Sequence, residues 1–462
     1  MNIEQIYTGC LAQGAYYISD GGEAAIIDPL RETAPYMEKA RKAGDRIKYI
    51  FETHFHADFV SGHVDLAAKT GAEIVYGPGA NTEYDIHEAR DGEKFTLGSL
   101  TMEVLHTPGH TPESTTYLLR DPSGKPKAIF SGDTLFIGDV GRPDLAVKSD
   151  LSREDLAGML YDSLRNKIMP LPNDIIVYPA HGAGSACGKN MSNETTDTLG
   201  NQKETNYALD ENLSREDFIR EVTSGILPPP QYFAKNALIN KTGYMSLDEI
   251  MEKGMQALSP EEFEAAANQM GALVLDTRSE YEFTHGHIPK SIFIGLDGSF
   301  APWVGALIAD LKQPILLVVD KGREEEAVTR LARVGYDNTI GYLNGSLDAW
   351  KNSGKEVETL DSIEADELAN RIKEHPEFHI LDVRKPSEFN AEHLSKADNF
   401  PLDFINEKMT DLDPADHFHV HCAGGYRSVI FCSILQARGY ENLTDIKGGF
   451  RAIKDAGLPV EV

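Results

Sequence analysis

The sequence predicts an α/β protein of several domains, and three observations carry that reading. To about residue 185, short β-rich runs ending in polar or glycine clusters alternate with segments of helical apolar spacing. The second half contains an internal repeat in which helix, strand and Asp-x-Arg recur in one order. At about 150 residues per domain, a chain of 462 residues suggests roughly three domains.

Taken in order, AAIIDP, IKYIFETH, AEIVYG, KAIFSGD and DIIVYPAH read as strands, and PYMEKARKAG between the first two reads as a helix. Residues 213–240 predict a helix, a stop at Pro228, Pro229 and Pro230, and another helix, so a domain is expected to close there. Beyond it, residues 258–283 parallel 363–389, and 315–336 parallel 418–440. Asp276 and Asp382, Asp320 and Cys422, and Gly335 and Gly439 stand 106, 102 and 104 residues apart. Near-constant offsets point to two homologous units of ordinary domain size, each alternating strand with helix as a small parallel sheet requires.

Composition narrows the partners. Lys and Arg total 44 against 73 Asp and Glu, a formal charge of -29, which argues against nucleic acid and anionic membrane surfaces. A hydrophobic content of 41% suffices for ordinary cores. The N-terminus, MNIEQIYTGCLAQG, lacks the basic start and apolar run of a secretory signal, and no stretch reaches the ~18 apolar residues of a bilayer span. Four cysteines, Cys10, Cys187, Cys422 and Cys432, are too few for a disulfide framework in so long a chain. A reducing compartment, the cytoplasm, is therefore expected, and each thiol is judged singly. Cys10 and Cys432 read as packing residues.

Four elements carry candidate metal donors: Thr53-His54-Phe55-His56-Ala57-Asp58-Phe59, His106-Thr107-Pro108-Gly109-His110, Ser131-Gly132-Asp133 and Tyr178-Pro179-Ala180-His181. Each follows an expected strand, and α/β folds place sites at strand ends. Imidazole and carboxylate donors converging from several strands suit a first-row transition metal, since no single segment can cover a coordination sphere. His63 and His106 read as neighbours that support these loops. Arg142, in Asp139-Val140-Gly141-Arg142-Pro143-Asp144, has two readings of equal weight: a clamp for a substrate carboxylate or phosphate, or a structural pair with Asp139 or Asp144.

The second chemistry lies in Cys422-Ala423-Gly424-Gly425-Tyr426-Arg427-Ser428, which follows the apolar strand FHVH and opens a helix. A thiolate there gains from successive backbone N–H groups and the helix N-terminus, and Arg427 adds positive charge. The matching loop of the other repeat is Asp320-Lys321-Gly322-Arg323-Glu324-Glu325-Glu326. A carboxylate there cannot hold a transferable sulfur atom, and three glutamates crowd the place of an anion.

The four-element set resembles the metallo-β-lactamase superfamily, whose HxHxDH motif is followed by His, Asp and His at later strand ends. Phe59 stands where that pattern has a histidine of the second metal site. The branch of the superfamily that uses one metal is the persulfide dioxygenases, and the Gly-Arg-x-Asp element around Arg142 is similar to theirs. This resemblance implies one Fe(2+) per chain held by His54, His110 and Asp133, with zinc as the alternative. It leaves His56, Asp58 and His181 as remnants of a second site, in hydrogen-bonding or substrate-contacting roles. Tyr178 and Cys187 become candidate substrate contacts, Cys187 because HGAGSACGK resembles members fused to rhodanese units. The Cys422 loop, with Asp382-Val383-Arg384 upstream and Lys447-Gly448-Gly449-Phe450 downstream, resembles the rhodanese active loop, with Cys422 and Arg427 catalytic.

The implied architecture is a metallo-β-lactamase αββα sandwich over 1–243, an inactive rhodanese-like domain over 244–356 and an active one over 357–462, the latter two being parallel α/β domains. The implied function is oxidation of a low-molecular-weight thiol persulfide with O2 to sulfite, coupled to sulfur transfer that yields thiosulfate, as in sulfide detoxification. Two rivals are weighed against it: a zinc thioester hydrolase resembling glyoxalase II with a sulfur-carrier module, and a non-catalytic persulfide carrier or sensor. The thiol, the oligomeric state (a homo-oligomer included), the order of transfer and the role of the inactive unit are left open.

Overall fold

The computed structural model describes residues 1–147, 151–374 and 379–462. Its contacts divide the chain into two compact units, Met1–Leu247 with Ala332–Gly335, and Asp248–Leu331 with Tyr336–Val462. Apart from Ala332–Gly335, the two halves of the repeat thus fall in one unit. Among the described residues, no helix is long and apolar enough to cross a membrane.

The first unit is built on two six-stranded sheets. One runs in sequence order through β1 (Asn2–Thr8), β2 (Gln13–Asp20), β3 (Glu23–Ile27), β4 (Arg46–Phe51), β5 (Glu73–Tyr76) and β6 (His87–Glu88). The other runs in reverse order, from β12 (Asp197–Thr198) through β11 (Ile176–Pro179), β10 (Pro126–Gly132), β9 (Thr115–Arg120) and β8 (Leu100–His106) to β7 (Lys94–Leu97). A central core of Tyr16, Ile18, Ile27, Phe51, Val104, Tyr117 and Phe130 joins the sheets face to face. The outer faces are covered by helices. Tyr36, Ala40 and Leu66 pack on Ala24, Ile26 and Ile50 of the first sheet, and the helical segments Arg153–Ser163, Leu164–Ile168 and Arg215–Thr223 bring Leu160, Leu164 and Phe218 against Leu118, Ile129 and Val177 of the second. Because both faces are covered, β2, β3 and β10 are buried along most of their length. The expected helix at PYMEKARKAG is Ala34–Ala43, opened by Pro35 and closed by Gly44 in a left-handed conformation. The pair expected around the three prolines is Arg215–Thr223 and Phe233–Thr242.

The second unit holds two five-stranded parallel sheets of the same topology. One orders Ala257–Leu258, Thr339–Leu343, Ile315–Val318, Leu273–Asp276 and Ile292–Phe293; the other orders Asp361–Ile363, Leu443–Ile446, Phe418–His421, His379–Asp382 and Ala397–Asn399. Matching positions in the two lists are matching positions in the sequence repeat. Of the repeat's second copy, residues 375–378 lie outside the described residues.

Candidate functional site

The segment after β4 is held in place by groups far away in sequence. Asp28, at the end of β3, adopts a left-handed backbone (φ 48) and accepts bonds from Thr53 N and Thr53 Oγ1, both at 2.8 Å. Asn240 donates through Nδ2 to the carbonyls of His56 and Phe59, at 2.8 Å each, and accepts from Ser61 N at 2.9 Å. After β10, Gly132 turns the chain into Asp133 with φ 54, and a Cβ there would lie 2.6 Å from Thr53. Gly141 is required by close approach: a Cβ would lie 2.1 Å from Asp133 O and 2.9 Å from His110 Nδ1.

These loops bring His54, His110 and Asp133 together, with ligand atoms within 4.8 Å of one another and all three side chains buried. Thr53 Oγ1 donates to Asp28, so it accepts from His54 Nδ1 at 3.0 Å. Arg142 O can only accept, so His110 Nδ1, 2.8 Å away, carries its proton. Both Nε2 lone pairs are thereby left facing Asp133 Oδ2, at 3.7 and 3.5 Å. Burial keeps both imidazoles neutral, pushing them below the usual histidine range; for His54 the neighbouring His56 adds to this. For Asp133 burial works the other way, but His181 and His54 outweigh it and keep the carboxylate ionised. Asp133 Oδ2 is buried without a hydrogen-bond partner. The separations are too long for hydrogen bonds and suit three donors each about 2 Å from one ion. Two neutral imidazoles and one carboxylate are a donor set that first-row transition metals take, non-haem iron and zinc among them.

The adjoining set, His56, Asp58 and His181, also has ligand atoms within 4.8 Å of one another and all three side chains buried, but its partners differ. His181 Nδ1 lies 2.8 Å from Asp133 Oδ1 and its Nε2 2.8 Å from Asp58 Oδ2. Burial disfavours its charge, yet the two carboxylates outweigh burial and hold the imidazole protonated. His56 Nε2 turns to Asp28 Oδ1, 3.1 Å away. The Phe59 ring packs 4.3 Å from the His56 ring and 6.4 Å from that of His181, so an apolar ring fills this side of the centre. His63 and His106 support loops, His63 bonding Tyr84 and His106 the Pro112 carbonyl.

Cys187 is brought to the centre, grouped with Asp133 and His181. Burial, aided by Asp58 and Asp133, pushes its thiol well up and keeps it protonated. Of the two readings of Arg142, the structural pair is formed: its Nε and Nη2 grip both oxygens of Asp144 at 2.6 and 2.8 Å, and Nη1 and Nη2 reach the carbonyls of Ala186 and Leu227. Tyr178 stacks on Phe130 at 5.3 Å against the core between the sheets.

In the second unit, Cys422 is buried at the end of its strand, and Gly425 N donates to its Sγ at 3.1 Å. Gly425 adopts φ 108, and Ala423 and Gly424 are exposed. Ser428 Oγ lies 3.7 Å from the sulfur. Arg427 is held by Glu388 through two bonds of 2.7 and 2.8 Å. Sequence reasoning missed Glu388 as well as Asp28, Glu52 and Asn240. Asp28 carried the same signal as Asp133, a carboxylate at a strand end. Glu52, whose carboxyl burial and Asp28 push well up, faces Ser61 and His56 from inside β4's continuation and had no such signal.

Comparison with known proteins gives concordant matches. The metallo-beta-lactamase superfamily profile matches residues 8–181, and that of the rhodanese-like domain matches 259–353 and 364–456. The mitochondrial persulfide dioxygenase ETHE1 of Homo sapiens is 33% identical over 211 residues, covering 45% of this chain and 74% of that protein. A hydroxyacylglutathione hydrolase of Tolumonas auensis is 36% identical over 171 residues, covering 36% of this chain and 60% of that one. Among solved structures, a metallo-beta-lactamase from Staphylococcus aureus subsp. aureus COL aligns with a TM-score of 0.65 at 33% identity, covering 74% of this chain and 98% of that chain. The chain belongs to the persulfide dioxygenase family of the metallo-beta-lactamase superfamily and carries two rhodanese-like domains after that domain.

Proposed function

We propose that the protein oxidises a low-molecular-weight thiol persulfide with O2 to sulfite and joins sulfite to a second sulfur atom at Cys422, giving thiosulfate. The domains we assign to this work are 1–243 for oxidation, 244–356 as an inactive rhodanese-like domain and 357–462 for transfer. Bound by His54, His110 and Asp133, Fe(2+) supplies the activation of O2 and of the persulfide. The overall change balances as persulfide, O2 and water giving thiol, sulfite and two protons. Thr53 and the Arg142 carbonyl keep the ring tautomers that aim both Nε2 atoms inward. His181 holds the second oxygen of Asp133, so that one oxygen stays free.

At the second site, the Cys422 sulfur attacks the outer sulfur of a donor persulfide, releasing the thiol and forming Cys422–S–SH. Sulfite then attacks that outer sulfur, the S–S bond breaks, and thiosulfate leaves with the Cys422 thiol restored. Gly425 N–H faces the sulfur that attacks as thiolate in the first step and on which charge develops as the leaving group in the second. Arg427, pinned by Glu388, supplies positive charge at the loop.

The observation that carries this reading is the buried set of His54, His110 and Asp133, beside a second set, His56, Asp58 and His181, whose further histidine position is taken by Phe59 packed on the His56 ring. Metal analysis of protein made with adequate iron, run beside oxygen uptake on a panel of persulfides, tests it. About one iron per chain is expected, with uptake lost in His110→Ala and Asp133→Ala. Two zinc ions per chain and thioester hydrolysis would move the assignment to the hydrolase class, the activity named for the Tolumonas auensis relative.

A further inference from the structure

The repeat that carries Asp320 where its twin carries Cys422 has no part in this chemistry, yet its packing gives it one. The helix Tyr426–Ala437 begins directly after the Cys422 loop, and its residues from Ser428 to Leu435 are all buried. A helix that is apolar all round needs cover on both sides. Its own sheet covers one side, through Phe418–His421 and Leu443–Ile446, and the other repeat covers the second, through the edge strand Ile292–Phe293. Phe293 N donates to Ser433 Oγ at 2.9 Å.

The same contact reaches the loop. Tyr426 donates its hydroxyl to the carbonyl of Gly295 at 2.7 Å, and its ring lies 5.7 Å from that of Phe293. Gly298 makes room for that ring, since a Cβ there would fall 2.2 Å from Tyr426 Cζ. The two ends of the loop are therefore held differently, the Tyr426 end from the other repeat through Gly295 as well as from its own through Arg427 and Glu388. Cys422 and Ala423 are fixed within their own repeat, their carbonyls accepting from Phe450 N and Arg451 N at 2.6 and 3.3 Å. Gly425 has no side chain and a left-handed backbone, so the aim of its N–H at Cys422 Sγ depends on where the next residue, Tyr426, is anchored.

We propose that the cysteine-less repeat is a working wall of the sulfurtransferase site: through Gly295 and Gly298 it seats Tyr426, a positioning residue that aims Gly425 N–H at the Cys422 sulfur. This rests on the transferase reading above. The N–H stabilises charge on sulfur in the step that breaks the S–S bond, so loosening Tyr426 slows turnover more than it weakens anion binding.

The test uses the full chain and thiosulfate with cyanide as acceptor, with reactive Cys422 counted by iodoacetamide labelling and mass spectrometry. Tyr426→Phe keeps the ring and loses only the bond to Gly295; Gly298→Ala pushes on the ring from the other repeat. Per reactive Cys422, kcat should fall about tenfold in both, the worth of one ordinary hydrogen bond, while KM for thiosulfate stays within about twofold. Wild-type kcat in Tyr426→Phe, or a fall that merely tracks loss of reactive Cys422, would overturn the positioning role while leaving the transferase reading intact. Absence of turnover in the wild-type chain would overturn both.

Discussion

In one rhodanese-like repeat Arg278 grips Asp276, with Nε at 2.9 Å from Oδ1, and donates onward to the Gly286 carbonyl at 2.9 Å. In the other, Arg384 grips Asp382, with Nε at 2.9 Å from Oδ1, and donates to the Glu392 carbonyl at 2.8 Å. The two scaffolds are the same down to this buried ion pair, and they part at the loop. After Cys422 the helix from Tyr426 has no acid in its first turn, so its N-terminus is open to negative charge. After Asp320 the helix from Glu324 has Glu324, Glu325 and Glu326 in its first turn, and Glu324 itself accepts from Gly322 N at 2.8 Å. One backbone N–H of that loop is thus taken by the chain's own Glu324 carboxylate. A buried pair resists change because losing one partner strands the other charge, whereas a surface loop can lose its chemistry without cost to the fold.

The largest way to break the comparison is at the nucleophile. Cys422→Ser should lower thiosulfate sulfurtransferase activity by at least about a thousandfold, since a hydroxyl forms no persulfide, while Asp320→Ala leaves it within about twofold. A steady-state assay of both variants decides this, and a large loss in Asp320→Ala would give that loop a part in transfer. Next come the shared pairs. Asp382→Asn and Asp276→Asn each leave a buried arginine uncompensated and should each cost about 3–5 kcal/mol of unfolding free energy, read by urea titration. A cost in only one would mean that the two scaffolds do not depend on the pair alike. The smallest effect is an expected failure to gain: Asp320→Cys combined with Cys422→Ser should stay near the activity of Cys422→Ser alone, because the three glutamates still repel an anionic donor. Recovery of substantial activity would show that the cysteine alone separates the repeats.

Much of this was legible in the sequence because it is written in local pattern. Apolar runs ending in His54, Asp133 and His181 marked strand ends, and the offsets between Asp276 and Asp382 marked the duplication. The long-range clamps were not legible. Asn240 holds the His56 and Phe59 carbonyls across more than 180 residues of chain, and a helical asparagine carries no mark of that. Phe59 could be read as a missing donor, but its packing against His56 and the turn of His56 toward Asp28 depend on tertiary structure. The duty of Arg142 was open between a clamp and a pair, and only the fold placed Asp144, Ala186 and Leu227 around it.

We propose that two sites act in series, with sulfite made at His54, His110 and Asp133 and consumed at Cys422. Cys422→Ser, assayed with a thiol persulfide in an oxygen electrode and with product analysis, tests it most directly. Oxygen uptake and iron content should stay close to wild type, with the product changed from thiosulfate to sulfite. Unchanged thiosulfate at normal turnover, or loss of oxygen uptake with iron retained, would contradict it.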